Sequence, residues 1–588
     1  MTPKTRLSIA LSILIAASLL ATRGQSNPPP PTEDCPSVCD STSENTGVGI
    51  NALPADLGRE NTAVGFEALL FTTTGSYNTA VGSLALLNDT SGTCNTAVGI
   101  AACGGIQGTV TGSNNTGIGQ DAMLYLASGT ENTSIGADSM LNDTIGSNNT
   151  VAGGHALYEN TTGNFNSALG QGALYYNTTG SNNTASGAGA LFNNTTASQN
   201  VADGFESLHG ITTGSYNTGS GYHALYSSTS ASDNVAVGAD ALFGNTTGNY
   251  NTSVGYYALQ GATASPYATG SFNTGVGAKT LFRYTTGTQN CAIGYNALYN
   301  DTTGSYNTTS GYQSLYSNTT GGYNAIVGTQ AMYYNTTGTS NSALGSLALQ
   351  KNTTGGSNTA VGIAALNFNT TGSNNIAVGQ ASGASLTTGS YNIDIGAAGL
   401  AGEGNTIRLG TNGGQTNTYI AGISGVTVAG GIGVIVDTNG HLGTTTSSAR
   451  YKDNIQPMEE ASEALLNLKP VTFRYKKELD PQAIPQFGLV AEDVAKVDPD
   501  LVVKGEDGKP YSVRYEAVNA MLLNEFLKEH RKVENLEATA EKERSTNAAL
   551  GDAIKELRSQ ITALTAGLQK VNAQLAAERS TGRLVNYN

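Results

Sequence analysis

Ser447, Ser448, Arg450 and Lys452 stand close together in the stretch "TTTSSARYKDNIQPM", Thr444 to Met458. A serine hydroxyl attacks a carbonyl only when a base takes its proton. A lysine serves as that base only where burial or nearby cations hold its pKa well below the free value of about 10.4. Ser and Lys at such spacing are common on solvated surfaces, so spacing alone makes Ser447 a turn residue and Lys452 a surface charge. The elements around them decide the matter, and composition changes abruptly here. From Asn27 to Thr446 there are 21 Asp and Glu against 5 Lys and Arg, whereas the last 142 residues carry 20 of the chain's 28 Lys and Arg.

Before the seam the chain is repetitive. Its 588 residues are too many for one compact core, and 75 glycines with only 12% charged residues do not suit an ordinary enzyme surface. The phrase "NTAVG" and its variants return 21 times between Asn45 and Asn392, with a period of 17 and departures only in steps of 16, 20 and 22. Each copy reads roughly N-T-A-V-G-x-x-A-L-x-x-N-T-T-G-S-Y. Pieces this short cannot form useful helices; they fit the short strands of a stacked coil. An Asn fixed in every coil can hydrogen-bond to its copies above and below, a ladder that charge would spoil. One coil is expected to bury a Val or Ile, an Ala and a Leu, too little to offset its own ordering cost, so burial is shared along the stack and, across a threefold axis, between chains. With strands about 4.7 Å apart, the array makes a rod on the order of 100 Å long.

Residues 1–26 read as a secretory signal, with Lys4 and Arg6 before the apolar run "LSIALSILIAASLLA". No later run is long enough for a transmembrane helix. Residues 27–44 form a Pro- and Cys-containing linker. Export makes a disulfide between Cys35 and Cys39, and another between Cys94 and Cys103, the expected pairings, with Cys291 left over. No metal site is expected, since no His is interleaved with these cysteines. The many N-x-T sequons, such as those at Asn160 and Asn177, are read as turn residues set by the period rather than as glycosylation sites. The scattered acids offer no paired-carboxylate cleft for sugar hydrolysis, and their excess gives no footprint for nucleic acid.

The units "NTAVG", "NIAVG" and "NCAIG", over residues 45–400, resemble the head repeats of trimeric autotransporter adhesins, whose usual period is shorter. That resemblance implies a trimeric β-roll. The chain departs from those adhesins after its coiled coil, where "STGRLVNYN" supplies no alternating strands for an outer-membrane barrel. Residues 401–446 hold alternating Val, Ile and Gly, read as a β neck or cap.

From Ser447 to about Lys532, "SSARYKDNIQPM", "FGLVAEDVAKVDPDLV" and "VRYEAVNAMLL" occur in the order and at the spacing of the intramolecular chaperone domain of phage tailspikes and endosialidases, classed as peptidase S74. The resemblance implies a small α+β domain that assembles three chains and then cuts itself free. It assigns Ser447 and Lys452 as the catalytic dyad and the Thr446–Ser447 bond as the cleavage site. Attack by Ser447 on the Thr446 carbonyl gives an ester by N-to-O shift, which water then hydrolyses. Arg450 is a candidate for orienting the strand or stabilising the oxyanion. Where the family has Asp after the serine, this chain has Ser448, which stands four residues from Lys452 and leaves open which serine acts.

Beyond it, positions from Val533 through Leu575 alternate spacings of three and four, the seam of a coiled coil over 533–579, followed by a tail, 580–588. Asn547 on that seam would set register. The fold expected is therefore mostly β: a β-solenoid stalk, a small α+β chaperone domain and a C-terminal coiled-coil helix. The function expected is an exported, homotrimeric, adhesin-like surface fibre with self-cleaving serine endopeptidase activity, no cofactor, and a glycan or other surface as ligand. A tailspike-like fibre that binds or cleaves glycans and an ice- or mineral-binding array are the rival readings.

Overall fold

The computed structural model describes residues 38–581 apart from 41–42, 54–57, 106–107, 262–266, 412, 438 and 506. The signal segment, Cys35 and residues 582–588 lie outside the described residues, as does the side chain of Cys39. The chain divides into two units, 1–418 and 419–588.

The first unit is a β-solenoid of about 21 turns. Each turn contributes one three-residue strand that pairs in parallel, in register, with the copy one repeat on, as Thr79–Val81 does with Thr96–Val98. The middle strand residue, usually Ala, points into the core. A second buried pair follows it, Ala85 and Leu86 in one coil and Ala156 and Leu157 in another. This second apolar piece is not a strand: its leucine takes the left-handed conformation, with φ of 49° at Leu86 and 51° at Leu157, turning the chain while its side chain fills the core. The expectation that Val or Ile would be buried fails. Strand residues alternate sides, so once Ala, two places after the Asn, faces inward, the Val three places after it faces out, and Val81 is exposed.

The asparagine ladder runs without a gap. From Asn45 to Asn392, each side-chain Oδ1 accepts the backbone N–H of the next Asn, at 2.8 Å for Asn61 and 3.0 Å for Asn392. Each Nδ2 donates to a carbonyl in the following turn, as Asn149 does to Gly163 at 3.0 Å. These side chains are buried and cannot turn to water, so the ladder requires Asn at every rung.

A second ladder stands on the Asn of N-T-T-G. Asn177 Nδ2 donates to Asn160 Oδ1 at 2.8 Å, and Asn335 Nδ2 to Asn318 Oδ1 at 2.8 Å. Asn160 and Asn177 are fully buried, which removes these sequons from the surface of the folded stalk. Beside this ladder the rings of Tyr158, Tyr175, Phe192, His209, Tyr226 and Phe243 stack face to face, 4.9–5.3 Å apart. Within the two longer steps of the repeat, of 20 and 22 residues, Val110 is bridged to Asp89 and Ala268 to Asn245.

Both ends of the sheet are closed differently from its middle. Val38–Asp40, within the segment read as linker, pairs antiparallel with Asn45–Val48. At the other end Ile407–Leu409, in the segment read as neck, adds the last parallel strand, and the Arg408 guanidinium binds Glu403 through Nη2 at 2.7 Å and Nε at 3.0 Å.

The Cys94–Cys103 pairing is not formed; both are free thiols. Cys94 occupies the exposed left-handed position before the ladder Asn95, while Cys103 takes the core leucine position, where burial pushes its thiol up to about 12.

The second unit begins with little regular structure, then a hairpin of Val434–Val436 and Leu442–Thr444. A 3-10 segment, Glu459–Asn467, precedes the paired strands Val471–Phe473 and Gln486–Gly488. Helix α1 (Ala491–Val497) and the strands Val502–Lys504 and Pro510–Val513 follow, and the 67-residue helix α2 (Tyr515–Thr581) ends the described chain. The buried core of this unit is small, built on Val494, Leu501, Val502, Val513 and Met521.

Candidate functional site

Thr446, Ser447 and Ser448 are exposed in extended chain that leads into the 3-10 turn Ala449–Tyr451. The turn is closed by Tyr451 N–H donating to the Ser448 carbonyl and Lys452 N–H to that of Ala449, both at 3.1 Å. It places Lys452 one turn beyond the serines, with its side chain in solvent. Among the described residues, no hydrogen bond joins either serine to Lys452. The Arg450 guanidinium sits 4.8 Å over the Tyr451 ring rather than at Thr446. The single chain therefore holds the parts of a Ser/Lys dyad side by side along the backbone but supplies neither the burial nor the contact that the chemistry needs.

A second Ser, Lys and Glu grouping lies 15 residues further on from Ser447, and nothing in the sequence pattern pointed to it. Ser462 is fully buried, donates to Glu525 Oε1 and accepts from Asn524 Nδ2 at 2.6 Å. Lys528 binds the same Glu525 oxygen at 2.7 Å and holds its carboxyl below the usual range. Glu525 takes both donors, so this Ser is no nucleophile; the group clamps the Glu459–Asn467 segment onto α2.

Large apolar side chains stand in solvent throughout the second unit: Phe487 is 83% exposed and Tyr419 92% exposed. On α2, Leu550, Ile554, Leu557, Ile561 and Leu564 on the heptad seam are all exposed in the single chain. Five apolar residues at that spacing form a stripe with no partner in this chain.

On the stalk, the stacked ring ladder has its ring faces covered by neighbouring rungs. Tyr176 is different: it meets Tyr175 edge-on at 4.7 Å and Phe192 edge-on at 5.3 Å, and is 44% exposed. It lines a surface groove of about 440 Å³ with Glu159, Asn193, Thr178, Thr212 and Gly210. Carboxylates also gather around His223, whose Nε2 lies 3.0 Å from Glu206 and whose Nδ1 lies 3.5 Å from Asp240. A period of 17 puts residues 206, 223 and 240 on adjacent rungs, a signal available from the repeat.

The described chain is a β-solenoid followed by a small unit with short β-sheets and a long C-terminal helix. Residues 447–503 match the family model for the chaperone of endosialidase, Peptidase S74. The match begins at Ser447, C-terminal to the long repeat region. Domains of this kind are linked to trimerisation. No curated protein and no solved structure matches the chain. Among the described residues, no helix is long and apolar enough to cross a membrane.

Proposed function

We propose that this protein is an exported trimeric surface fibre whose C-terminal unit assembles three chains and then releases itself by cutting the Thr446–Ser447 bond. The observation that carries the reading is the coincidence of two boundaries at one residue, downstream of the stalk's last strand: the strong excess of acid gives way to nearly balanced charge, and the chaperone match begins at Ser447. Ser447 is the nucleophile and Lys452 its base. Both are exposed in one chain, so cleavage waits for neighbouring chains to bury them. This order is useful, since a unit that cut itself free before assembly would leave long parallel rods to find their register unaided.

The test is denaturing electrophoresis and intact-mass measurement on the chain beside Ser447→Ala, Ser448→Ala and Lys452→Ala. The expected outcome is a break before Ser447 in the wild type and Ser448→Ala, and full-length chains for the other two. A wild-type chain that stays whole in its trimer, or a Ser447→Ala chain still cut there, sinks the mechanism.

The groove at Tyr176 favours glycan as the ligand of the stalk. An aromatic ring with an open face beside a carboxylate and an amide is the usual grammar of sugar recognition, apolar stacking plus hydrogen bonds to hydroxyls. The ice-binding reading loses support in the N-T-T-G ranks, because the first threonine hydroxyl of each is spent inside the fold, as Thr161 and Thr302 donate to the next coil's carbonyl at 2.9 Å. Tyr176→Ala should abolish binding on an oligosaccharide array while leaving the melting curve unchanged. Undiminished binding would move the ligand elsewhere.

A further inference from the structure

The residue that ends each three-residue strand faces solvent, and its identity along the stalk is not random. Val48, Val64, Val81, Val98, Ile118 and Ile135 follow one another on six successive coils, each 37–44% exposed. Parallel in-register pairing sets them in one straight rank, about 4.8 Å apart. The rank resumes at Val237, Val254, Val276 and Ile293, all exposed, and after a single Ser310 continues at Val327 and Leu344. Between these runs three successive coils carry Ser186, Asp203 and Ser220, paired rung to rung in the same register. An aliphatic rank of six successive coils on one sheet face is the kind of surface that soluble proteins cover.

We propose that this face is where copies of the chain pack against one another along the stalk, and that the block Ser186–Asp203–Ser220 is the key that sets their register. The inference rests on the trimer reading above and adds to it the face and the locking residues. A second copy is the occupant that fits, for three reasons. Aliphatic runs recur along the stalk at the spacing of its coils, so their cover must be long and equally periodic, and another stalk is both. The α2 helix of the same chain carries its own exposed apolar stripe. A block of three polar rungs in an aliphatic rank also makes sense against a copy of itself.

In register, polar rungs meet polar rungs, and the Ser186 and Ser220 hydroxyls stand one rung either side of Asp203, able to donate to the carboxylates gathered there. A slip of one coil, the smallest error that the 17-residue period allows, sets Ser186 against Leu169 and Ser220 against Val237. Each mismatch buries a hydroxyl against a hydrocarbon with no partner. A single polar position performs the same office in coiled coils, at some cost in stability.

The test uses the full chain with Ser447→Ala, so that the C-terminal unit stays attached, and with a photo-crosslinking phenylalanine at Val98 or, as control, at Tyr176. Sedimentation is read first. A trimer whose Val98 label joins chains at residues 95–101 of the neighbour, the same coil, with no interchain product from position 176, is the result expected. Adding Asp203→Val with Ser186→Val and Ser220→Val should keep the trimer but spread the Val98 products to the coils on either side, residues 78–84 and 115–121. A trimer with no interchain product at Val98 would overturn the face while leaving the trimer reading intact. A monomer on sedimentation would overturn both. Products that stay in register in the triple variant would overturn the key.

Discussion

Asp143 and Asp301 each stand at the foot of a run of buried asparagines, the first below Asn160, Asn177 and Asn194, the second below Asn318 through Asn369. The rung beneath each is apolar or aromatic, Leu126 in one case and Tyr284 in the other. An acid there accepts the next Asn amide, yet its second oxygen is buried with no partner in either residue, so it is held protonated. Burial raises both carboxyls from 3.8 to about 8. The direction of the pH effect follows. Below pH 4 both states are protonated, and above it the unfolded chain ionises first, so stability falls from about pH 4 to about pH 8 and then levels off. Each acid can contribute up to roughly 1.4 kcal/mol per pH unit across that window. Thermal unfolding should therefore give a higher Tm at pH 5 than at pH 8, and the double variant Asp143→Asn, Asp301→Asn should flatten the difference. Equal wild-type values at the two pH values would contradict this account.

At the scale of the element, the coil is held by side-chain amides as much as by backbone pairing. Asn166→Ala would leave the Asn183 N–H and the Gly180 carbonyl without these partners in a dry interior, at about 1–3 kcal/mol each. Because each coil touches chiefly its neighbours, the damage should stay local: hydrogen exchange should rise across 149–200 and not across 307–375. A different constraint acts at Gly136, where φ is 140° and an added Cβ would sit 2.6 Å from the Gly153 carbonyl oxygen, so Gly136→Ala should lower Tm more than an exposed Thr→Ala in the same coil. The first ladder was legible in the sequence because Asn recurs beside an invariant neighbourhood. The second was not, since Asn in N-T-T-G is equally at home in an exposed turn. Cys103 shows what the period does offer when followed to every position: it stands where Leu86 and Met123 stand, so it belongs inside and cannot reach the exposed Cys94. The inward Ala and outward Val could not be told apart by hydrophobicity, which favours the reverse assignment; backbone spacing around the small residue decides it. At the seam, the start of the chaperone match was legible in the sequence, whereas Ser447 and Lys452, both exposed, make no contact with each other in one chain.

At the scale of the whole molecule, the second unit has a small core and an exposed seam on α2, which under the proposed function is where assembly starts. Truncation after Lys532 removes that seam, so the shortened chain should sediment as a monomer and remain uncut at Thr446–Ser447. Cleavage in such a monomer would break the coupling of cutting to assembly. The antiparallel strand Val38–Asp40 has a further consequence. A stack of identical parallel rungs is a template for its own extension, and an open first rung would accept the last rung of another rod. Reversing the direction of the outermost strand presents an incoming parallel rung with the wrong pattern of donors and acceptors. Rod length is then counted in the gene, coil by coil, and does not drift with protein concentration as it does in amyloid.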